Sequence, residues 1–266
     1  MSLRREVETR LALFDELSGI LGAMRSFALT ELRRVSKREA AQQKVVAALT
    51  TALTEVTPGT QAIEPLGKVR QDICLLFGSV RGFCGSFNED VIRCWQAQDD
   101  EQAAVILLGE RLHQMLPDRP KQLLLSGADN GLNAHETVDR ILVAISELHN
   151  ETAPFRLWAC TRDDQGAHYQ QLWPLPVLQA AETILPPVTH QPQAVVAVSI
   201  ADQYLYHQLL SLLLSSIRVE NHMRLMQMET ALRHLQQGTE DMQRQRNRLR
   251  QEEIVEEIEL MVCSRH

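Results

Sequence analysis

Apolar residues recur at helical spacing through the first part of this 266-residue chain. The stripe starts at Leu3 and Val7 and continues to Val35, with one apolar position about every 3.6 residues, as an α-helix requires. We expect one helix over about Leu3–Glu55. At about 1.5 Å per residue it measures roughly 80 Å, which is longer than a domain of this size is wide.

A second apolar stripe occupies the last part of the chain. It runs from Leu205 to Val262, with spacings of three, four and seven residues, and it thins between Leu235 and Leu249. Asp202 precedes the stripe and is a favourable N-cap. Such spacing is typical of a coiled-coil seam, and a narrow stripe on a long helix needs a partner. The sequence therefore predicts an antiparallel coiled coil of the N- and C-terminal helices.

The residues that break helices lie between these two stripes. All ten prolines fall from Pro58 to Pro192, and nine of the twelve glycines fall from Gly59 to Gly166. Proline disrupts a helix interior, so its absence leaves both ends free to form long helices. We expect three parts: a helical segment at 1–57, a central domain at 58–192 and a second helical segment at 193–266.

The central part alternates short apolar runs with amphipathic segments. This order predicts an α/β domain with a parallel or mixed sheet and covering helices. The expected strands are Ile73–Phe77, Ala104–Leu108, Gln122–Ser126, Phe155–Cys160 and an edge strand at Tyr169–Trp173, and the expected helices are Phe87–Gln98, a short one ending at Met115, and Asn133–Leu148.

Charge and hydropathy narrow the possible functions. The net charge is −7, and the two helical segments are nearly balanced, so no basic footprint for nucleic acid is present. The longest apolar stretches are far shorter than the ~20 residues that span a bilayer, and the start has no apolar leader, so we expect a cytoplasmic protein. The basic residues of the helical segments are almost all arginines, which suits an acidic protein partner or, equally, a solvated helix face with local ion pairs.

Motifs for catalysis or cofactor binding are missing from the sequence. No GxGxxG, GxxxxGK[ST] or GxSxG pattern occurs, and the histidines have no partner at metal-ligand spacing. The five cysteines form no CxxC pair and are interpreted as reduced thiols that pack as small apolar side chains. The acidic cluster Glu252–Glu259 alternates with isoleucine at helical spacing, which indicates a solvated helix face. We therefore predict no catalytic site, no cofactor and no metal.

Three separated motifs resemble those of the γ subunit of the F-type rotary ATP synthases. Ile20–Arg34 (ILGAMRSFALTELRR) is similar to the family pattern ITxAMKxVAxxKLRR, and Ser79–Asn88 (SVRGFCGSFN) is similar to SDRGLCGxxN. The third motif has two parts: Glu220–Met228 (ENHMRLMQM) resembles ExxxRMxAM, and Asn247–Ile258 (NRLRQEEIVEEI) resembles NxxRQxxIxxE[LI]. The resemblance spans nearly the whole chain and is weakest from about Leu112 to Pro192.

The resemblance implies a fold and a function. The family fold is an antiparallel coiled coil of the terminal helices beside a Rossmann-like α/β domain. The family role is that of a non-catalytic rotor shaft, which turns inside a ring of α and β subunits and contacts the ε subunit and the membrane ring of c subunits. It implies a peripheral protein at the cytoplasmic side of the cell membrane. The implied contacts with β-subunit loops are Arg250, Gln251 and Glu257, and those near the lower lobes of the ring are Met24, Arg25, Arg81, Cys84, Arg224 and Met228.

The chain also departs from the family pattern. Val80 stands where the family has aspartate, Glu31 where it has lysine, and the chain ends Cys263-Ser264-Arg265-His266 where the family has small apolar residues. These departures favour a divergent branch of the family, the alternate, ion-pumping type of F-ATPase. The alternative interpretation is a coiled-coil scaffold or adaptor with no ATPase partner.

Overall fold

A computed structural model describes residues 3–57, 71–98, 103–128, 130–149, 155–175 and 187–263 of the chain. The elements in chain order are α1 (Leu3–Val56), β1 (Gln71–Phe77), α2 (Phe87–Gln96), β2 (Ala104–Leu108), α3 (Glu110–His113), β3 (Gln122–Leu125), α4 (Ala134–Leu148), β4 (Phe155–Arg162), β5 (Ala167–Trp173) and α5 (Gln193–Cys263). The two long terminal helices and the alternating strands and helices between them confirm the predicted α/β architecture. Residues 176–186, between the last expected strand and the second helical segment, lie outside the described residues.

The five strands form one mixed sheet in the order β3-β2-β1-β4-β5. β1 pairs in parallel with β2 and β4, and β2 pairs in parallel with β3. β5 pairs antiparallel with β4, because the two strands are joined by a short hairpin. The carboxyl ends of the parallel strands β1, β2 and β3 therefore meet at one edge of the sheet.

Both faces of the sheet are covered at its centre, which is why Ile73–Phe77 of β1 and Ala104–Leu108 of β2 are continuous apolar runs. Side chains such as Leu75 and Ile106 point to one face and pack against α4 and the middle of α5. Their neighbours Leu76 and Leu107 point to the other face, where α2 covers them. Cys74, Cys84 and Cys160 are buried in this second cluster, as predicted for thiols that pack as small apolar side chains, whereas Cys263 is exposed and does not pack in this way. Burial raises the pKa of the Cys160 thiol, which keeps it protonated.

The chain divides into two compact units, one of Met1–Leu29 with Arg224–His266 and one of Thr30–Met223. In the first unit Arg4 of α1 pairs with Glu253 of α5 at 3.3 Å. In the second unit the Gln42 amide lies 2.8 Å from Nδ1 of His207. The start of α1 therefore contacts a late part of α5, and a later part of α1 contacts an early part of α5. The terminal helices therefore pack antiparallel, as predicted.

Helix α5 begins earlier than the sequence analysis predicts. Asp202 is not its N-cap but an exposed residue inside the helix, which starts at Gln193 directly after Pro192. The carbonyl oxygen of Pro192 accepts the backbone N–H of Val195 at 2.9 Å. The additional turns are stabilised by packing, because Ala201 is buried against Leu53 of α1. An apolar face and a proline before the first turn outweigh a favourable capping residue further along.

Gly238 lies where the apolar stripe of α5 thins, and the helix runs through it without a break. A Cβ at this position would lie 2.7 Å from Cε2 of Phe14, inside the normal contact distance. The missing side chain lets the Phe14 ring pack directly on the backbone of α5. Glycine in a helix interior costs about 1 kcal/mol relative to alanine. At Gly238 the same absence of a side chain allows the close contact between the Phe14 ring of α1 and the backbone of α5.

Two carboxylates of α1 hold the second unit together through residues far away in sequence. Glu31 is buried, and its Oε1 accepts the backbone N–H of Gly131 at 2.9 Å. Glu39 is also buried and pairs with Nε of Arg218 at 2.6 Å, and Nη1 of the same guanidinium donates to Asp164 at 2.8 Å. Burial lowers the pKa of Arg218, but the hydrogen bonds and charges of Asp164 and Glu39 raise it more, so its net pKa is above the ordinary value.

The contact between Gln42 and His207 predicts a pH-dependent stability. With the Gln42 amide donating, Nδ1 of His207 is an acceptor and the ring is neutral. Burial, and then the charge of His135, lower the pKa of His207 below the ordinary histidine value of 6.5. The unfolded chain therefore takes up the proton first as the pH falls, so stability is fully present above about pH 6.5 and decreases below it. We expect His207→Gln to reduce this decrease in urea unfolding measured from pH 7.5 to 5.5, whereas His190→Gln, at an exposed position, leaves it unchanged.

Candidate partner-contact surface

The nine residues predicted to contact partners lie on three elements of the structure. Met24 and Arg25 are in α1, Arg81 and Cys84 are in the loop between β1 and α2, and Arg224, Met228, Arg250, Gln251 and Glu257 are in α5. Their exposure differs widely. No interaction with another chain is recorded for them, so each remains a predicted contact.

The loop between β1 and α2 is fixed by the polar residues of its motif. The backbone N–H of Ser79 donates to Oδ1 of Asn88 at 2.9 Å, and Nδ2 of Asn88 donates back to Oγ of Ser79 at 2.9 Å. The Cys84 thiol donates to the same hydroxyl oxygen at 3.3 Å. Serine, cysteine and asparagine therefore stand at these motif positions to close a buried hydrogen-bond network, which gives the loop one conformation.

The start of α2 is held to the sheet by charge. The Ser86 hydroxyl donates to Oδ2 of Asp90 at 2.8 Å, and Nε of Arg162 in β4 donates to the same oxygen at 2.9 Å. Partial burial raises the pKa of Asp90. The two hydrogen bonds and the charges of Arg162 and Arg93 lower the pKa by more than burial raises it, so the net pKa is below the ordinary value. Asp90 therefore stays ionised at neutral pH and anchors the end of the loop.

The two predicted contact residues of this loop differ in accessibility. Arg81 is half-buried, and its backbone N–H donates to Oε1 of Glu220 in α5 at 3.4 Å. Cys84 is only 5% exposed, and its thiol points into the network below the loop. A partner approaching the loop would meet the surface around Cys84 and very little of Cys84 itself.

The predicted residues further along the two helices also divide by burial. Met24 is half-buried and Arg25 is exposed on α1. Arg224 and Met228 are buried on α5. A partner would therefore reach the guanidinium of Arg25 directly but would reach almost none of Arg224 or Met228.

The C-terminal end of α5 carries the most accessible of the predicted residues. Arg250, Gln251 and Glu257 are all exposed. Glu253 of α5 pairs with Arg4, which lies in the first turn of α1. Beyond this ion pair, every residue of α5 from Ile254 to Cys263 is exposed. Six apolar side chains lie among them: Ile254, Val255, Ile258, Leu260, Met261 and Val262. This end of α5 is therefore a helix with apolar residues in contact with water.

A second exposed apolar stripe, on α1, was missed by the sequence analysis. Leu13, Leu17, Ile20 and Phe27 are exposed and recur at spacings of four, three and seven residues. The stripe predicted from Leu3 to Val35 includes Leu17 at its helical spacing, but Leu17 lies on this outer surface. The sequence contains this second apolar pattern, with heptad-like spacing, beside the first stripe of α1. Only the packing of α1 shows which of the two stripes faces outward. Exposed stripes of this kind mark surfaces that another protein covers.

Metal-binding clusters and membrane-spanning helices are two further kinds of candidate site. Within the parts of the chain that the structure describes, no three histidine, cysteine or acidic side chains come together in an arrangement that could hold a metal ion. Over the same residues, no helix combines the length and the apolar character needed to cross a membrane.

Comparison with solved structures finds the same fold in rotary complexes. A chain of the Euglena gracilis mitochondrial ATP synthase rotor matches with a TM-score of 0.66 and 13% identity, over 94% of this chain and 98% of that one. A chain from the OSCP/F1/c-ring structure of the same enzyme matches with a TM-score of 0.65 and 13% identity, over 98% of this chain and 93% of that one. A chain of the Tetrahymena thermophila mitochondrial ATP synthase central stalk/c-ring matches with a TM-score of 0.55 and 14% identity, over 80% of this chain and 99% of that one.

At these identities the structural matches establish the fold alone. No curated protein matches the chain by sequence. The family assignment comes from the family model described as ATP synthase, which matches residues 3–262 and so includes all three motifs identified above. This chain therefore belongs to the ATP synthase family, as a member of its F1 γ-subunit group.

Proposed function

We propose that this chain is the central rotor shaft of an F-type ATP synthase or ATPase. In this role it couples ion-driven rotation of the membrane ring of c subunits to ATP synthesis or hydrolysis in a ring of three α and three β subunits. The family assignment over residues 3–262 supports the γ-subunit role. The partners we propose are the α and β subunits, the ε subunit and the c-ring, at the cytoplasmic side of the cell membrane.

The observation that carries this proposal is the exposed apolar end of α5. Leu260 is 70% exposed, and its neighbours Met261 and Val262 are exposed with it. Covering apolar side chains contributes about 25 cal/mol per Å² of surface removed from water, so this end gains stability inside an apolar sleeve. The outer stripe of α1 adds a second apolar surface in the same unit of the chain. A shaft that turns within a ring of subunits needs apolar surface of this kind on its outer faces.

We propose a division of labour along the chain. Residues 1–57 and 193–266 form the shaft that enters the ring. Residues 58–192 form the domain that contacts ε and the c-ring, and its loop with Arg81 and Cys84 lies near the lower lobes of the ring. The solved chains of similar fold come from structures described as rotor and central stalk/c-ring, which supports a shaft role for the chain as a whole.

The mechanism follows from the asymmetry of the shaft. Three β subunits surround a single chain, so at any moment each meets a different face of it. A β subunit changes conformation only if the face that it meets interacts more favourably with one of its states than with the others. The shaft carries out no chemistry in this scheme. It acts by presenting different polar and apolar side chains to each catalytic site in turn.

The exposed polar residues near the end of α5 provide the first test. We expect Arg250→Ala and Gln251→Ala each to lower the coupled ATP turnover of the reconstituted complex about fivefold, because each removes a polar contact worth roughly 1 kcal/mol to a β-subunit loop. Both side chains are exposed in the chain by itself, so its helix content, measured by circular dichroism, should not change.

Matched controls lie two turns earlier on the same helix. Arg244→Ala and Gln245→Ala remove the same chemistry from exposed positions outside the motif, and we expect them to keep the turnover within a factor of two. Normal turnover in the Arg250 and Gln251 variants would remove these residues from the proposed contact. Co-purification of the full chain from its native host without α and β subunits would contradict the shaft itself and favour a scaffold or adaptor.

A further inference from the structure

Three cysteine side chains of the α/β domain converge on the face of the sheet that α2 covers. Cys74 of β1 and Cys160 of β4 are buried there, and Cys94 of α2 packs against the same cluster. Their accessibility differs, because Cys160 is 0% exposed and Cys74 is 1% exposed, whereas Cys94 is half-buried and reaches the surface. In such an arrangement an oxidant can reach one thiol while a second, shielded thiol lies close enough to respond.

The side chains of Cys94 and Cys160 are in direct contact. Sγ of Cys160 donates to the backbone carbonyl oxygen of Val91 at 3.3 Å, so this thiol lies against α2. Cys94 follows Val91 by about one helical turn, which places both residues on the same face of α2. A side-chain hydrogen bond joins Cys94 and Cys160. Burial is the main cause of the raised pKa of Cys160, and the charge and hydrogen bond of Cys94 raise it further.

Cys74 is a poorer partner for Cys160, because the strand register holds the two residues apart. Cys160 stands opposite Leu76 of β1, and Cys74 stands opposite Trp158 of β4. The two cysteines are therefore diagonal neighbours on adjacent strands. With strands about 4.8 Å apart and a rise of about 3.3 Å per residue, their Cα atoms are about 8 Å apart. A disulfide needs Cα atoms within about 7 Å, so this pair could close only if the sheet moved.

We propose that Cys94 and Cys160 form a peroxide-responsive thiol pair, which closes to a disulfide between α2 and β4. Cys94 is the residue that a hydroperoxide meets, because its side chain reaches the surface. Cys160 is the resolving residue, because it contacts Cys94 and is itself shielded from the oxidant. Thiols on the cytoplasmic side proposed for this chain are kept reduced, and disulfides that form in such a compartment are usually transient. The pair is therefore a reversible modification site and not a permanent crosslink.

The reaction has two steps. The Cys94 thiolate attacks the outer oxygen of the hydroperoxide, the O–O bond breaks, and the leaving oxygen takes up the proton that Cys94 released. The sulfur of Cys160 then attacks the sulfur of the Cys94 sulfenic acid, the S–O bond breaks, and hydroxide leaves as water with the Cys160 proton. The two thiols together lose two electrons and two protons, and the hydroperoxide is reduced to an alcohol and water, or to water alone. A dithiol reverses the crosslink by exchange.

The first test is oxidation of the purified full chain by a slight excess of hydrogen peroxide. We expect the mass of the chain to fall by that of two hydrogen atoms, and a digest to contain peptides joined through Cys94 and Cys160. Because the disulfide restricts the unfolded chain, the urea midpoint should rise by about 1 M, and dithiothreitol should reverse both changes. A disulfide between Cys74 and Cys160, or Cys94 sulfinic acid without joined peptides, would overturn the proposal.

Single substitutions separate the two roles. Cys160→Ala removes the resolving thiol, so the Cys94 sulfenic acid should persist, and its labelling by dimedone should rise about tenfold over that of the unchanged chain. Cys94→Ser should leave Cys160 unoxidised, because Cys160 is shielded from solvent. Cys263→Ser removes the exposed thiol near the end of α5 and is the matched control, which should form the crosslink normally.

Equal dimedone labelling of the Cys160→Ala chain and the unchanged chain would show that Cys160 does not resolve Cys94. Oxidation of Cys160 in the Cys94→Ser chain would show that Cys94 is not the residue that the peroxide meets. Either result would overturn the pair. All of these measurements use the isolated full chain, so their outcome is independent of the proposed shaft function, which the co-purification experiment tests.

Discussion

Glu31→Lys should lower the free energy of unfolding of the full chain by about 3 kcal/mol. The Glu31 carboxylate is 5% exposed and accepts the backbone N–H of Gly131, which is 100 residues away. Lysine has no acceptor, so the N–H of Gly131 would lose its partner, at a cost of about 1–3 kcal/mol. The buried ammonium would add a desolvation cost. Because the resembling family has lysine here, the variant that restores the family residue should destabilise this chain.

Urea unfolding followed by circular dichroism measures this effect. Glu31→Gln keeps an amide oxygen as acceptor, and we expect a loss of only about 1 kcal/mol. Glu16→Lys makes the same charge change at an exposed position of α1 and should stay within about 0.5 kcal/mol of the original chain. Equal stability of the Glu31→Lys and Glu16→Lys chains would show that the contact with Gly131 does not stabilise the fold.

Arg218→Met should have an effect of similar size, again about 3 kcal/mol. The guanidinium of Arg218 contacts Glu39 of α1 at 2.6 Å and Asp164 of the β4–β5 hairpin at 2.8 Å. Removing it leaves the buried Glu39 carboxylate without its cation, which is costly because the charge has also lost its hydration. The variant therefore loosens the packing of α1, α5 and the hairpin against one another within their unit.

A double variant tests this explanation against a general loss of packing. Adding Glu39→Gln to Arg218→Met removes the uncompensated charge, so we expect more than half of the lost stability to return. Arg218→Lys keeps the charge but not the planar fork that serves two carboxylates at once, and it should cost about half as much as Arg218→Met. If the double variant were no more stable than Arg218→Met, the charge pair would not account for the loss.

Elements with a strong local signal were predictable from the sequence. β1 from Ile73 onward and the whole of β2 are unbroken apolar runs, each followed by a glycine, and the bounds of both strands lie within two residues of those predicted. The missing prolines made α1 and α5 predictable as long helices. The start of α5 was not, because local capping preference favoured Asp202 while packing of Ala201 against Leu53 extends the helix back to Gln193.

The candidate site was predictable to a smaller extent. The motif around Arg81 and Cys84 identified the loop, but it did not show that Cys84 points inward or that Phe83 points outward. The Cys84 thiol is held by Ser79, and the loop is also held at the backbone of Arg81 by Glu220, which is 139 residues away in the chain. A contact over that distance leaves no periodic signal in a single sequence.

By itself, the sequence determined that two long helices enclose an α/β centre, because helix breakers and apolar spacing act over neighbouring residues. It also determined the family, through motifs on those helices and after the first strand. Only the tertiary structure decided which stripe of α1 faces outward, which distant residue Glu31 contacts and that Cys84 points inward. These features arise where distant segments meet, so their physical cause is the three-dimensional contact and not the local pattern.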